Sequence, residues 1–173
     1  NNMMRKKSRE MDAAWAMKVM DKAPFITVSM TDTEGLPYSV PLSLARLDES
    51  TFCFHCAKEG KKLECLKKNP DVCLVAVSKC KPTVGPKDKS FTLEFKSAIA
   101  FGRAEVVEDE AEKIEALRAI CRRFLPGHME AFDEAIKRSL FRTAIVRIKL
   151  KEPPVGKRKE YDANGDELTF GRM

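Results

Sequence analysis

The sequence predicts a mostly β fold of the α+β class, a small antiparallel barrel of six strands with peripheral helices. Short apolar runs recur between turn signals, and helical patterns occur only at the amino end, in one short excursion and before the last strand. The 173 residues suit one domain, and closure into a barrel removes the exposed edges that an open sheet would leave.

The first half of the chain reads as a helix followed by a β-meander. The helix covers residues 8–22, with Ser8 as its cap and Pro24 after its end. The three strands are FITVSM, LPYSVPLSLARL and TFCFHCA, separated by turns at DTEG and DES. Pro41 falls inside the second strand, where its missing N–H requires a sheet edge, a bulge or a covering ligand.

The second half mixes strands and helices. A short helix over residues 61–68 precedes the strand DVCLVAVS and the loop KPTVGPKDKS. FTLEFKSAIAFGRAEVVED is too long for one ordinary strand, so we expect a bend or bulge at Gly102. Asp109 caps the helix EAEKIEALRAICRRFL, a shorter helix covers residues 128–140, and RTAIVRIKLKE returns to β. We expect one domain over residues 1–150 and a polar arm or turn over 151–173.

Composition narrows the functional classes. Hydrophobic residues make up 43% of the chain and charged residues 34%, and no apolar run approaches the roughly 20 residues of a membrane helix. The amino end lacks a secretory signal pattern, so we expect a soluble cytoplasmic protein. The net charge of +6 allows attraction to phosphates, but acids are interspersed with the basic residues and aromatics do not alternate with them. Nucleic-acid binding therefore stays a minority hypothesis.

The six cysteines are expected to be reduced and mostly buried, because no export signal accompanies them. Cys53 and Cys56 form a C-x-x-C motif. No second pair follows at zinc-finger spacing, and strand alternation sends the two thiols to opposite faces. We expect no metal site.

Lys61 and Lys62 stand where the short helix should begin. Cations in the first turn of a helix are disfavoured by roughly 0.3–1 kcal/mol each, because free N–H groups give that end a partial positive charge. Two explanations stay open. A bound phosphate could accept from both the N–H and the ammonium groups, or the lysines could point into water with Glu59 and Glu64 balancing them.

Several motifs together resemble the nitroimidazole-resistance flavoproteins of the pyridoxamine 5'-phosphate oxidase-like family. They are GLPYSVP from Gly35, FHCA with GKK from Phe54, NPDV from Asn69, FKSAI with FG from Phe95, and EK with AL from Glu112. GxPYxVP and HxAxxGKK are the most specific of them. The match runs in order from about residue 5 to 126, with an extension toward residue 150.

The resemblance implies an FMN-binding split β-barrel, a homodimer with two active sites at the subunit interface, and reduction of small molecules such as 5-nitroimidazoles. It assigns Lys61 and Lys62 to the turn that holds the FMN phosphate. The cofactor-binding residues that it implies are Val40, Pro41, Leu42, Ser43, Phe54, His55, Lys61, Lys62 and Ser97. The chain departs from the family at Phe95 and Ala98, where the family often has tyrosine and valine.

His55 matches the pocket histidine of that family and is the candidate catalytic residue, because histidine readily exchanges a proton near neutral pH. Taken without the motif, it reads as a core histidine at a strand end. Alternation places it on the face of Cys53 and opposite Phe52 and Phe54, so it faces the cofactor cleft if the barrel core takes the two phenylalanines. His128 reads as structural.

Three functions stay open. The first is an FMN-dependent oxidoreductase acting on nitro-aromatics. The second is a non-catalytic flavin- or haem-binding module, since fold does not fix function. The third, a strict pyridoxamine 5'-phosphate oxidase, ranks lowest because basic residues for a second phosphate are not found.

Overall fold

The computed structural model describes residues 4–169, which form nine strands and four helices. The strands are β1 (Glu10–Met11), β2 (Ile26–Thr31), β3 (Pro37–Leu42), β4 (Ala45–Asp48), β5 (Thr51–Ala57), β6 (Asp71–Val84), β7 (Phe91–Val106), β8 (Thr143–Leu150) and β9 (Val155–Lys159). The helices are α1 (Ala13–Lys22), α2 (Lys61–Lys68), α3 (Glu110–Phe124) and α4 (Phe132–Ser139), and 3-10 turns cover Lys7–Arg9, Pro126–Ala131 and Leu140–Arg142. None of these helices is long and apolar enough to cross a bilayer.

The strands form one antiparallel sheet in the order β3-β2-β6-β7-β8-β5-β4. Because β3 and β4 end this order but are consecutive in the chain, their connection of two residues pulls the two sheet edges together. Within residues 4–169 no ladder joins the two edges, so the barrel is split beside β3. The predicted fold class is confirmed, and β2, β3, β5, β6, β7 and β8 correspond to the six predicted strands.

Two predicted boundaries are wrong at the amino end and in the second strand. The first helix begins at Ala13 and not near Ser8, since Asp12 accepts a 2.8 Å hydrogen bond from the N–H of Trp15 as its cap. The predicted strand LPYSVPLSLARL divides into β3 and β4, because the chain turns inward to bury Leu44 in the core.

The long strand and the end of the chain also differ from expectation. β7 runs through Gly102 without a shift in register, and the bulge lies in β6, between Val77 and Lys79. The predicted loop at 81–90 is shorter than expected and covers only residues 85–90, since β6 and β7 pair as far as Val84 and Phe91. The sequence predicts a polar arm where the structure has strand β9, which pairs with both β1 and β7. Residues 1–3 of the expected domain and 170–173 of the arm lie outside the described residues.

Two apolar clusters hold these elements in place. The larger fills the barrel and includes Phe52, Phe54 and the buried face of α1. The smaller lies on the outer face of the sheet, where Leu117 and Ile120 of α3 cover Cys53. Strand β5 is therefore buried on both faces from Thr51 to Phe54, and this cover ends at His55, which is exposed.

Gly156 allows β9 to approach α1 closely. A Cβ atom at this position would lie 2.5 Å from Cε3 of Trp15 and 3.0 Å from Cβ of Met11. Gly127, in the turn after α3, has no atom within 4 Å of the corresponding position. The two glycines form a matched pair for testing this contact.

We expect Gly156→Ala to lower the free energy of unfolding by about 1–3 kcal/mol, because overpacking forces the Trp15 ring away from β9. Gly127→Ala should leave stability unchanged or raise it by less than about 1 kcal/mol. Urea unfolding followed by fluorescence of Trp15, the sole tryptophan of the sequence, measures both. Equal midpoints for the two variants would show that β9 does not pack tightly on α1.

Candidate functional site

The end of β5 and the start of α2 form a corner that we call the β5–α2 corner, residues 54–62. Gly60 is the N-cap residue of α2 and has a φ of 130°, a conformation that favours glycine. Helix α2 begins at Lys61, as the sequence predicts, and no side chain of the described residues caps it. Its first hydrogen bond runs from the N–H of Glu64 to the carbonyl of Gly60, which leaves the preceding N–H groups without helical partners.

The two lysines of this corner have different surroundings. The Nζ of Lys61 lies 4.5 Å from the centre of the Tyr38 ring and 3.7 Å from the Asp32 carboxylate. The Nζ of Lys62 lies 5.7 Å from the centre of the Phe54 ring, and no described carboxylate is within ion-pair distance of it. The alternative of balancing ion pairs with Glu59 and Glu64 has no support among the described contacts.

Asp32 anchors the Lys61 side of the corner. Its carboxylate accepts 2.9 Å hydrogen bonds from the N–H groups of Glu34 and Leu36. These bonds, that from Leu36 foremost, hold the pKa of Asp32 below its usual range, and Lys61 adds to the effect. Asp32 therefore stays charged at neutral pH and competes with any other anion for Lys61.

Strand β3 adjoins this corner through the contact between Tyr38 and Lys61. It is an edge strand that pairs only with β2, so Pro41, opposite Thr27, removes no hydrogen bond from a second neighbour. Val40 and Leu42 pack against the barrel core, whereas Pro41 and Ser43 are exposed. The outer edge of β3 therefore offers unpaired backbone groups beside the split.

His55 lies on the other face of β5 from Phe54, as strand alternation predicts. It borders a cavity of about 420 Å³ between the sheet, α3 and α4, which we call the histidine cavity. The lysines contact Tyr38 and Phe54, whose rings belong to the barrel interior, so His55 and the lysines lie on different sides of the end of β5.

The structure brings two further residues into the histidine cavity that the sequence reading did not select. His128, interpreted as structural, and Arg142 both line it. They follow α3 and α4 respectively, and meet His55 only because the two helices fold back over β5 and β8. The break at Pro126 and Gly127 is the sole local signal that the chain turns back here.

Ser97 lies in the middle of β7, away from the end of that strand to which β5 connects. It pairs with Val77 of β6 and Lys157 of β9, whereas Phe54 connects through β8 to Val106 of β7. About nine residues of β7 separate Ser97 from Val106, which is about 30 Å along an extended strand. Among the described contacts, none joins Ser97 to Lys61 or Lys62.

The C-x-x-C cysteines occupy opposite faces of β5, as expected. Cys53 lies under α3 with its Sγ 3.8 Å from the carbonyl of Ala116, and burial raises its pKa to about 12. Cys56 packs against the barrel core, where burial also raises its pKa. Neither is a reactive thiolate at neutral pH. Among residues 4–169, no cluster of three metal-binding side chains occurs.

Comparisons with known proteins agree with this architecture. Residues 12–155 match the family model described as pyridoxamine 5'-phosphate oxidase. A candidate 5-nitroimidazole antibiotic resistance protein from Bacteroides thetaiotaomicron is similar at 26% identity and a TM-score of 0.72, over 86% of this chain and 87% of that one. Comparison with curated proteins gave no significant match.

Two further solved structures share the fold at lower identity. The flavocytochrome Anf3 from Azotobacter vinelandii has a TM-score of 0.77 at 20% identity, over 99% of this chain and 84% of that one. The FAD and haem binding protein from Mycobacterium smegmatis has a TM-score of 0.76 at 19% identity, over 93% and 82%. At these identities the likeness concerns the fold alone.

Proposed function

The chain belongs to the pyridoxamine 5'-phosphate oxidase family, and on this basis we propose that it is an FMN-dependent flavoprotein that reduces small molecules, with nitro-aromatics such as 5-nitroimidazoles as acceptors. The observation that carries the proposal is the uncapped first turn of α2 with Lys62 beside it and no carboxylate paired to that lysine among the described residues. The similarity to the candidate nitroimidazole-resistance protein supports the choice of acceptor.

The β5–α2 corner suits the phosphate of FMN. The free N–H groups of the first turn and the ammonium group of Lys62 are donors, and a phosphate dianion supplies acceptors to both. Lys61 would be shared between that phosphate and Asp32, since Asp32 stays charged. Lys62 is therefore the stronger anchor of the two.

The flavin ring would lie along β3. Val40, Pro41, Leu42 and Ser43 are the residues that would hold it, because this edge offers unpaired backbone groups at the split. Bound FMN would supply the electrons of the reaction. The chain itself would exclude water with the side chains of β3 and with Phe54. His55, on the opposite face of β5 from Phe54, would hold a proton on its imidazole at the end of that strand.

We propose a homodimer for two reasons. The first is Ser97, which makes no described contact with the lysines of its own chain and could reach a cofactor held by a second copy. The second is the hairpin of β6 and β7, where Val84, Phe91 and Leu93 expose 49%, 93% and 44% of their surfaces.

Light scattering at micromolar concentration should give twice the chain mass, and a monomer that still binds FMN would contradict the dimer.

The phosphate anchor is tested by Lys62→Ala. Loss of a charge-assisted donor should weaken FMN binding about tenfold or more and leave riboflavin binding nearly unchanged, since riboflavin lacks the phosphate. Lys61→Ala should have a smaller effect, because Asp32 already occupies that lysine. Quenching of flavin fluorescence measures the affinities of both variants for FMN and for riboflavin.

Lys67→Ala is the matched control, since Lys67 is an exposed residue in the last turn of the same helix. It should bind FMN like the unaltered protein. Equal weakening of FMN and riboflavin by Lys62→Ala would place the phosphate elsewhere.

The role of His55 is tested by His55→Gln, which keeps a hydrogen-bonding group. Since His55 is exposed, folding and FMN content should be preserved. Turnover of a nitro-aromatic acceptor should fall by about 100-fold or more, as expected for loss of a general acid. Stopped-flow reoxidation of the reduced flavin measures this rate.

Unchanged turnover with full flavin would make His55 a bystander, and loss of folded protein would make it structural. Full flavin without any turnover by the unaltered protein would favour a non-catalytic flavin-binding module.

A further inference from the structure

The histidine cavity has the size and walls of a small-molecule site. Its volume of about 420 Å³ lies within the range of roughly 300–1,000 Å³ that is usual for ligand pockets. Leu117 and Ile120 of α3 and Ile136 of α4 provide apolar walls, with Phe132 at the start of α4 between them. Such walls suit an apolar, ring-shaped ligand.

The polar groups around this cavity are biased toward donors. The hydroxyl groups of Ser139 and Thr143 already donate to the carbonyls of Ala135 and Ser139, at 2.9 and 2.8 Å. Arg142, His55, His128 and the thiol of Cys121 remain, and no aspartate or glutamate lines the cavity. The remaining lining groups therefore favour an acceptor that carries negative charge.

Arg142 differs from other arginines of this region in having no described acceptor. Arg147 pairs with Glu105 and Glu112, each at 3.1 Å, and Arg138 donates to the carbonyl of Glu134. Among residues 4–169, no carboxylate lies within ion-pair distance of Arg142. A guanidinium group next to an apolar cavity is suited to two-point binding of a carboxylate.

We propose that the histidine cavity is a binding site for an aromatic carboxylic acid. The ring lies between α3 and α4, and the carboxylate accepts hydrogen bonds from Arg142, with the two histidines as neighbouring donors. The site goes beyond the proposed flavin function, since no residue of the β5–α2 lysine pair or of β3 lines it. His55, the proposed proton donor, lines this cavity, so a bound acid lies next to it.

The probe for this site is 2-naphthoate, and its control is the neutral 2-naphthamide. Isothermal titration of the purified protein should show binding of the acid at least tenfold tighter than binding of the amide. Arg142→Gln should remove that preference, because a charge-assisted donor is lost. Arg138→Gln, one helical turn away and outside the cavity lining, should keep it.

A second pair of variants tests the location without removing charge. Ala135 lines the cavity from α4, so Ala135→Trp should fill it and abolish binding of 2-naphthoate. Ala111→Trp, on an exposed position of α3 outside the lining, should bind it normally. FMN affinity should be the same in both variants, which separates this site from the flavin site.

Three results would overturn the inference: no binding of 2-naphthoate, equal affinity for the acid and the amide, or unchanged binding in Ala135→Trp. A Soret band in the purified protein that Ala135→Trp removes would assign the cavity to haem and also overturn it. Each of these outcomes leaves the FMN titrations to decide the proposed function separately.

Discussion

The burial of β5 on both faces is the constraint on which the rest of the structure depends. Phe52 and Phe54 fill the barrel from one face, while Cys53 lies under α3 on the other. A slip of one residue against β8 would exchange these faces and move both phenylalanines out of the barrel core to the side under α3, where Cys53 now packs, so the register is strongly specified. Because the register is fixed, the position of His55 and the start of α2 are fixed as well.

The same constraint explains why polar groups collect at the end of β5. The cover from α3 ends at His55, and the chain then leaves the sheet through Gly60 into a helix whose first turn has no cap. Two lysines in that turn oppose the helix dipole at a cost of about 0.3–1 kcal/mol each. Asp32 offsets this for Lys61, and the proposed phosphate would do so for Lys62.

Features that depend on local chemistry were predictable from the sequence. Strand β5 and helix α2 have the predicted bounds, and Pro41 lies in an edge strand because that is where a missing N–H is tolerated. The faces of Cys53 and His55 follow from alternation alone. The anion site at Lys61 and Lys62 and the catalytic role of His55 remain predictions.

Features that depend on tertiary pairing were not predictable. Ser8 and Asp12 are both good caps, and the pairing of Met11 with Gly156 selects Asp12 by placing the chain before it in β1. Strand β9 has little apolar pattern, and its place between β1 and β7 stabilises it. His128 and Arg142 meet His55 only through the packing of α3 and α4, which no local spacing encodes.

The central claim is that the first turn of α2 is an anion site for the FMN phosphate. A crystal structure of the protein saturated with FMN tests it most directly. The account predicts phosphate oxygens within hydrogen-bond distance of the N–H groups of this turn and of the Nζ of Lys62, with the flavin ring along β3. A phosphate bound elsewhere, with Lys62 in solvent, would contradict it.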